Sequence, residues 1–392
     1  MASVTRLQVN PSVLQWARMT VDLDIETAAR RVGVKPSRLV AWETGEVLPT
    51  VNQLRTLATT YQRPLAALLL PEPIEAEDRP KLPDFRRAET RENTNPVALL
   101  KAIMRARRQQ DALREIADEL GWPESDTYAQ FSLSSAMTVE EAGHALRLVL
   151  AMDRLPRGLE LRPDDYLREL VRRAEELGVT VIQVQRVPTA EMRGFSIGDG
   201  PFPVVALNGG DWPRGKVYTL LHELAHVGLR SSGLCDFQHA DDRDLERFCE
   251  AIAASALMPG RVFLHRLGAL RGDRLTIDAA RSIGADFGAS GEAAVLRMIE
   301  LGRASWDDYW RLKPEFEAAY LEYKREERAK GEGKESPIYY QLKARDLGRK
   351  FVRQVLHAYG EEAISTRDVV HLLEVPFDKL GKLAGTVGDV AV

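Results

Sequence analysis

The chain has 392 residues, more than a single hydrophobic core usually organises, so two or three domains are expected. Its 58 acidic and 54 basic residues leave a formal net charge of -4, which gives no global drive toward nucleic acid or acidic membranes. Two cysteines, Cys235 and Cys249, exclude a disulfide framework and point to a reducing compartment. No basic stretch leads into an apolar run at the N-terminus. The longest apolar runs, such as 65–70, fall far short of the roughly 20 residues of a membrane helix, so a soluble cytoplasmic protein is expected.

In chain order, residues 1–71 read as a bundle of short helices. Apolar residues recur near the helical period through Val13-Leu14-Ala17, Ala28-Ala29-Val32, Leu39-Trp42 and Leu54-Leu57-Ala58-Tyr61. Gly33 and Gly45 punctuate them, and Thr50 is placed to cap the fourth helix. This segment carries eight Lys/Arg against five Asp/Glu, a net of +3, which permits DNA binding without demanding it. Residues 72–95 read as a linker, proline-bearing and acidic at their start.

Residues 96–300 form the next expected domain. Its lead-in to 178 is mostly helical, with Pro156 and Pro163 as breaks, and strands are expected over 179–184 and 203–207. Gly194, Gly198 and Gly200 between them suggest a hairpin or irregular loop, and Gly209-Gly210 a turn. Helices follow over about 216–229 and 242–257. The last region, 301–392, is again helical. It contains an aromatic-rich helix from Trp306 through Phe316 and Tyr320, a disordered-looking run over 325–335, one amphipathic helix over 338–359, and two short helices over 365–383. The fold class is therefore mainly α with a small β-sheet (α+β).

The chemistry concentrates in His222-Glu223-Leu224-Ala225-His226. Histidines four residues apart on a helix lie about 40° apart on one face, so both imidazoles can reach one ion. Glu223 points roughly 100° around the helix, where a carboxylate can hold a water rather than the metal. That division of labour, histidines as ligands and glutamate as general base, is what a zinc hydrolase needs. A second helix supplies Glu246 as third ligand, and Glu250, one turn on, as acceptor for the free N–H of a ligand histidine. Asp242 and Asp244 are rival ligands in the same acidic run. Cys235 and His239 are possible ligands at irregular spacing, and Cys249, among alanines, reads as core. Ligand type favours Zn2+, with Mn2+ possible for two nitrogens and one carboxylate.

Val217-Tyr218-Thr219-Leu220-Leu221 before this motif, Leu245-Glu246-Arg247 after it, and Ala253 through Pro259 resemble the ImmA/IrrE family of metallopeptidases over roughly residues 160–265. The likeness reaches back through Gly194 and the strand ending at Leu207-Asn208. Where the family pattern ends its second signature in Ala-Asn, this chain has Cys249-Glu250. The resemblance implies a gluzincin-like zinc endopeptidase that cleaves a helix-turn-helix repressor and so relieves transcription, in stress or mobile-element responses. Glu223 would act as general base, and the strand at 204–207 would pair with an extended substrate.

Residues 12–70 resemble the Cro/C1-type (XRE) helix-turn-helix. The resemblance rests on Ile25-Glu26-Thr27-Ala28-Ala29, the turn Gly33-Val34, then Leu39, Trp42-Glu43-Thr44-Gly45, Pro49-Thr50 and Leu54. Lys35, Ser37 and Arg38 are the candidate DNA-contacting residues. The outward positions Val40 and Ala41 are apolar, so docking to a protein stands beside operator binding as the use of this domain. A transcriptional regulator or antitoxin-like protein, with a structural or metal-sensing peptidase fold, is the competing class. Retention of Glu223, a carboxylate that folding does not need, argues for the enzyme.

Overall fold

The computed structural model describes residues 7–73 apart from 22, 62 and 64, and then 96–123, 130–155, 162–230, 242–268, 275–331 and 339–388. Backbone packing divides the chain into two compact units, 1–105 and 106–392.

In the first unit, polar side chains set where the helices begin. Asn10 caps α1 (Pro11–Met19), and Asp24 caps α2 (Ile25–Val32) by accepting from the Thr27 amide. Proline at the first turn starts α3 (Pro36–Glu43). Thr50 caps α4 (Val51–Thr60) as expected from the sequence, and Gln53 completes a capping box with it. The apolar faces meet in a core of Leu14, Ala17, Ala28, Leu39, Trp42, Leu54, Leu57 and Tyr61. Arg18 locks α1 to α3 through a two-pronged bond to the Glu43 carboxylate at 2.8 and 2.9 Å, and also donates to the Leu23 carbonyl. Such a fork, largely removed from water, costs several kcal/mol to break from one side.

The second unit is built on α5 (Pro96–Leu120, from residue 106), α6 (Val139–Val149) and α7 (Pro163–Glu176), followed by a three-stranded sheet. Strand β1 (Thr180–Val184) pairs parallel to β3 (Val204–Asn208), and β2 (Gly194–Ile197) pairs antiparallel to the other side of β3. β1 and β3 are buried along their whole length, so they read as continuous apolar runs rather than alternating ones. The glycine-rich interval between them thus contains a hairpin strand. The order β1-β3-β2 also corrects the expectation that 204–207 receives an added substrate strand: both of its edges are already hydrogen-bonded.

Against the sheet lies α8 (Pro213–Gly228), and on α8 packs α9 (Asp242–Leu257), whose small residues Ala253 and Ala256 permit close approach. Cys249 is fully buried there, as core. Further helices are α10 (Gly260–Leu267), α11 (Ile277–Asp286), α12 (Gly291–Glu300) and α13 (Trp306–Gly331). The run expected to be disordered is helical as far as Gly331, because α13 continues through its charged segment; 332–335 lie outside the described residues. Tyr309 and Phe316 of α13 are core, whereas Trp306 and Trp310 are exposed.

The single helix expected over 338–359 is two, α14 (Tyr339–Leu347) and α15 (Arg349–Gly360). Gly348 separates them at φ 87°, and a Cβ there would lie 3.0 Å from the Val181 carbonyl oxygen of β1. Close backbone approach and a left-handed conformation break the helix, where apolar spacing alone runs through. Two short helices then follow as expected, α16 (Thr366–Leu373) and α17 (Leu380–Ala384). They pack with α15 around Phe351, Val355, Leu356 and Leu373. No described helix is long and apolar enough to cross a membrane.

Candidate metal centre and the groove beside it

Helix α8 starts after Trp212 with Pro213 in its first turn and is buried on nearly every side. Its register is fixed from both ends. Asn208, at the end of β3, is buried and donates to the carbonyls of Val187 and Met192 while accepting from the Gly210 amide. The Gly228 carbonyl at the far end accepts from the Leu133 amide. Between these anchors the helix presents His222 and His226 toward α9.

His222 Nε2 and His226 Nε2 lie 3.2 Å apart. Glu246 of α9 places one carboxylate oxygen 3.4 Å from the first and the other 3.2 Å from the second. Donors bound tetrahedrally at ~2.0–2.1 Å from one zinc ion stand ~3.3–3.4 Å from each other. The cluster therefore has the spacing of three corners of such a site, and His222, His226 and Glu246 together could hold a metal ion. Buried polar atoms normally find partners, yet among the described residues the Nδ1 of His222 and one oxygen of Glu223 have none.

Electrostatics favour positive charge at this point. Burial works against an imidazolium at His222, but the Glu246 hydrogen bond and the charges of Glu223, Glu246 and Glu250 outweigh it and raise the pKa. Burial likewise opposes ionisation of Glu246. The hydrogen bonds from both histidines nevertheless hold its carboxyl down at about 2. A divalent cation held by the three donors would meet that demand.

Glu223 is buried and stands outside the cluster of three donors. It stands against β2: a Cβ on Gly194 would meet the Thr219 methyl at 2.3 Å and the Glu223 carboxylate at 3.1 Å. The absent side chain lets the edge strand press onto α8 beside the carboxylate.

Other expected site residues fall differently. Glu250 is exposed and does not hydrogen-bond to His222. One turn beyond Glu246, it is carried past the imidazole, and its influence there is long-range charge; only its main-chain carbonyl is used, by the Tyr218 hydroxyl at 3.0 Å. Asp244 faces solvent, 3.8 Å from Arg247. The side chain of Asp242, with Cys235 and His239, lies outside the described residues. In the first unit Lys35, Ser37 and Arg38 are all exposed at the start of α3, Val40 is exposed beside them, and Ala41 is half-buried.

Sequence reading did not foresee a groove of about 1260 Å³ beside the cluster. Tyr218 and Arg214, one and two turns before His222, line it on α8, and Glu250, Ala254 and Leu257 line it on α9. Its far wall comes from α11, α12 and α13. The signal lay in the four-residue steps 214, 218, 222 and 226, which trace one stripe along α8.

Residues 174–298 match the family model of the IrrE N-terminal-like domain of the M78 peptidases, and residues 14–68 match a helix-turn-helix model. No curated protein and no solved structure matches the chain. The chain thus joins a Cro/C1-type helix-turn-helix domain to a metallopeptidase-type domain of the IrrE/ImmA kind.

Proposed function

We propose that the chain is a zinc endopeptidase that cleaves a regulatory protein, a helix-turn-helix repressor being the substrate class that the resemblance implies. The observation that carries the reading is the convergence of His222, His226 and Glu246 at 3.2–3.4 Å, with Glu223 buried at their side. Two imidazoles and one carboxylate suit zinc and leave a coordination position for water or substrate. The bound ion supplies Lewis acidity, bringing the pKa of water down to about 7 and polarising the scissile carbonyl.

Glu223 takes the proton of the attacking water on a carboxylate oxygen and passes it to the departing amine nitrogen. Its burial beside Gly194 keeps that carboxylate short of competing hydrogen-bond donors. The strand offered to an extended substrate is β2, the edge strand that begins at Gly194 beside Glu223. The N-terminal domain directs this activity to DNA, with Lys35, Ser37 and Arg38 as its contacts.

The test compares wild type and Glu223→Gln, both zinc-loaded, incubated with a bacterial protein extract, and maps newly formed N-termini. Cleavage inside helix-turn-helix proteins, found only with wild type, is expected. Equal cleavage by both proteins would overturn the assignment of Glu223, and Glu223-dependent cleavage confined to other proteins would overturn the substrate class.

A further inference from the structure

Resting on the peptidase reading, we infer that Arg214 is a specificity residue: it binds a carboxylate of the substrate, an Asp or Glu side chain three or four residues from the cleaved bond.

Arg214 lies in the first turn of α8 and lines the groove, half-buried. Among the described residues it has no acidic partner and no hydrogen bond, and burial alone depresses its pKa. A guanidinium stays charged at every relevant pH, so a protein that half-buries one normally supplies a carboxylate. Among the described residues none of the acids lining the groove pairs with Arg214. Glu292 is bound by Lys313 at 2.7 Å and Glu300 by Arg297 at 2.7 Å. Asp211 accepts from the Trp212 amide at 2.9 Å through one oxygen, and its other oxygen is not bonded to Arg214. Glu250, one turn from Glu246 on α9, and Asp278 on α11 are both exposed. The desolvated cation is left for something entering the groove.

Spacing along the helix turns this into a position in the substrate. Eight residues separate Arg214 from His222, which at 1.5 Å per residue is about 12 Å along the axis. An extended peptide advances about 3.3 Å per residue, so the distance corresponds to three or four residues. The intervening Tyr218 is tied to the Glu250 carbonyl, so its ring forms a fixed floor between the two points. A peptide laid along α8 from the metal donors reaches the groove at Tyr218 and the unpaired guanidinium of Arg214 one turn beyond it.

The test uses fluorescein-labelled degenerate decapeptide pools, identical except for Glu or Gln fixed at one position, titrated with zinc-loaded Glu223→Gln protein and read by anisotropy. The Glu pool is expected to bind about tenfold tighter, the size of a charge-assisted hydrogen bond, with the preference fading as salt rises. Arg214→Gln in the same background should abolish the preference, and Arg214→Lys should keep part of it. Equal binding of the two pools, or a preference that survives Arg214→Gln, would overturn the inference. Circular dichroism of each variant shows whether it is folded, and Arg214→Met supplies a second neutral variant if Gln is not tolerated. Hydrolysis of the pools by wild type reports separately on the parent reading. A Glu preference without hydrolysis leaves the subsite standing alone, whereas hydrolysis without a preference sinks the subsite and spares the peptidase.

Discussion

The start of α3 in the first unit and the seam between α8 and α9 in the second both carry polar side chains that the sequence singles out, but only one betrays its purpose in its energetics. Lys35, Ser37 and Arg38 are exposed, and a solvated polar group costs the fold almost nothing wherever it stands. On the seam, His226 and Glu223 are buried, while among the described residues Nδ1 of His222 and a Glu223 oxygen lack partners. An unsatisfied buried polar group costs about 1–3 kcal/mol, a cost that a bound metal and its water would offset at this seam. Among the described residues, unpaired buried atoms also occur in the first unit's core, at Trp42 Nε1 and Tyr61 Oη, so it is their convergence with a cluster of metal-type donors that marks the seam.

The strongest way to break this contrast is Glu223→Gln. Loss of a general base is expected to lower kcat by about 10²–10⁴-fold. Metal content and the thermal midpoint should stay within error of wild type or rise, because the substitution relieves a buried charge. A fall in stability together with full activity would make Glu223 a structural residue.

A buried charge with partners should behave otherwise. Lys216 of α8, facing the sheet, donates to the Gly209 carbonyl at 3.0 Å, and burial pulls its pKa down from 10.5 to about 8. The folded value lies below the unfolded one, so the unfolded chain binds more protons between the two, and stability rises with pH from about 8 to 10.5. Lys216→Met removes that titration. Its advantage over wild type, at most about 3 kcal/mol at pH 7 before the lost hydrogen bond is subtracted, should shrink toward pH 10 in urea unfolding. A pH-independent difference would show that the lysine is not desolvated in the native state.

Smaller effects sharpen the comparison. Gly194→Ala drives a Cβ into Thr219 and toward Glu223, and overpacking of this kind costs about 1–3 kcal/mol. Activity should fall further than stability does, because the displaced carboxylate is the proposed base. Unchanged kcat with reduced stability would mean that β2 packs near Glu223 without setting its position. For the exposed surface, Arg38→Ala should leave the thermal midpoint almost unmoved, as surface substitutions usually stay within about 0.5 kcal/mol. If α3 reads bases, operator affinity in a gel-shift assay falls about tenfold or more; unchanged affinity favours protein docking as the use of this domain.

These two regions also differ in how much of them the sequence discloses. Helices and caps were legible in both, since the Thr50 cap and the HELAH helix obey local rules. So was the proximity of Glu246 to the histidines, through helical period and a small-residue packing face. What local pattern could not supply was nonlocal. The central place of β3 follows from which strands pair, not from its own residues. The break at Gly348 follows from the Val181 carbonyl pressing on it, and the groove from the distant helices α11, α12 and α13 that wall it. Glu250 was misjudged because helical period gives a face but not the reach of a side chain from it.

The most direct measurement is metal content, by atomic emission, of wild type, Glu246→Ala and Asp244→Ala purified side by side. The two acids lie two residues apart on α9, but only Glu246 reaches the histidines. About one zinc per chain is expected in wild type and Asp244→Ala, with most of it lost from Glu246→Ala. Equal metal in all three, or a folded wild type that binds none on reconstitution with zinc, would contradict the site.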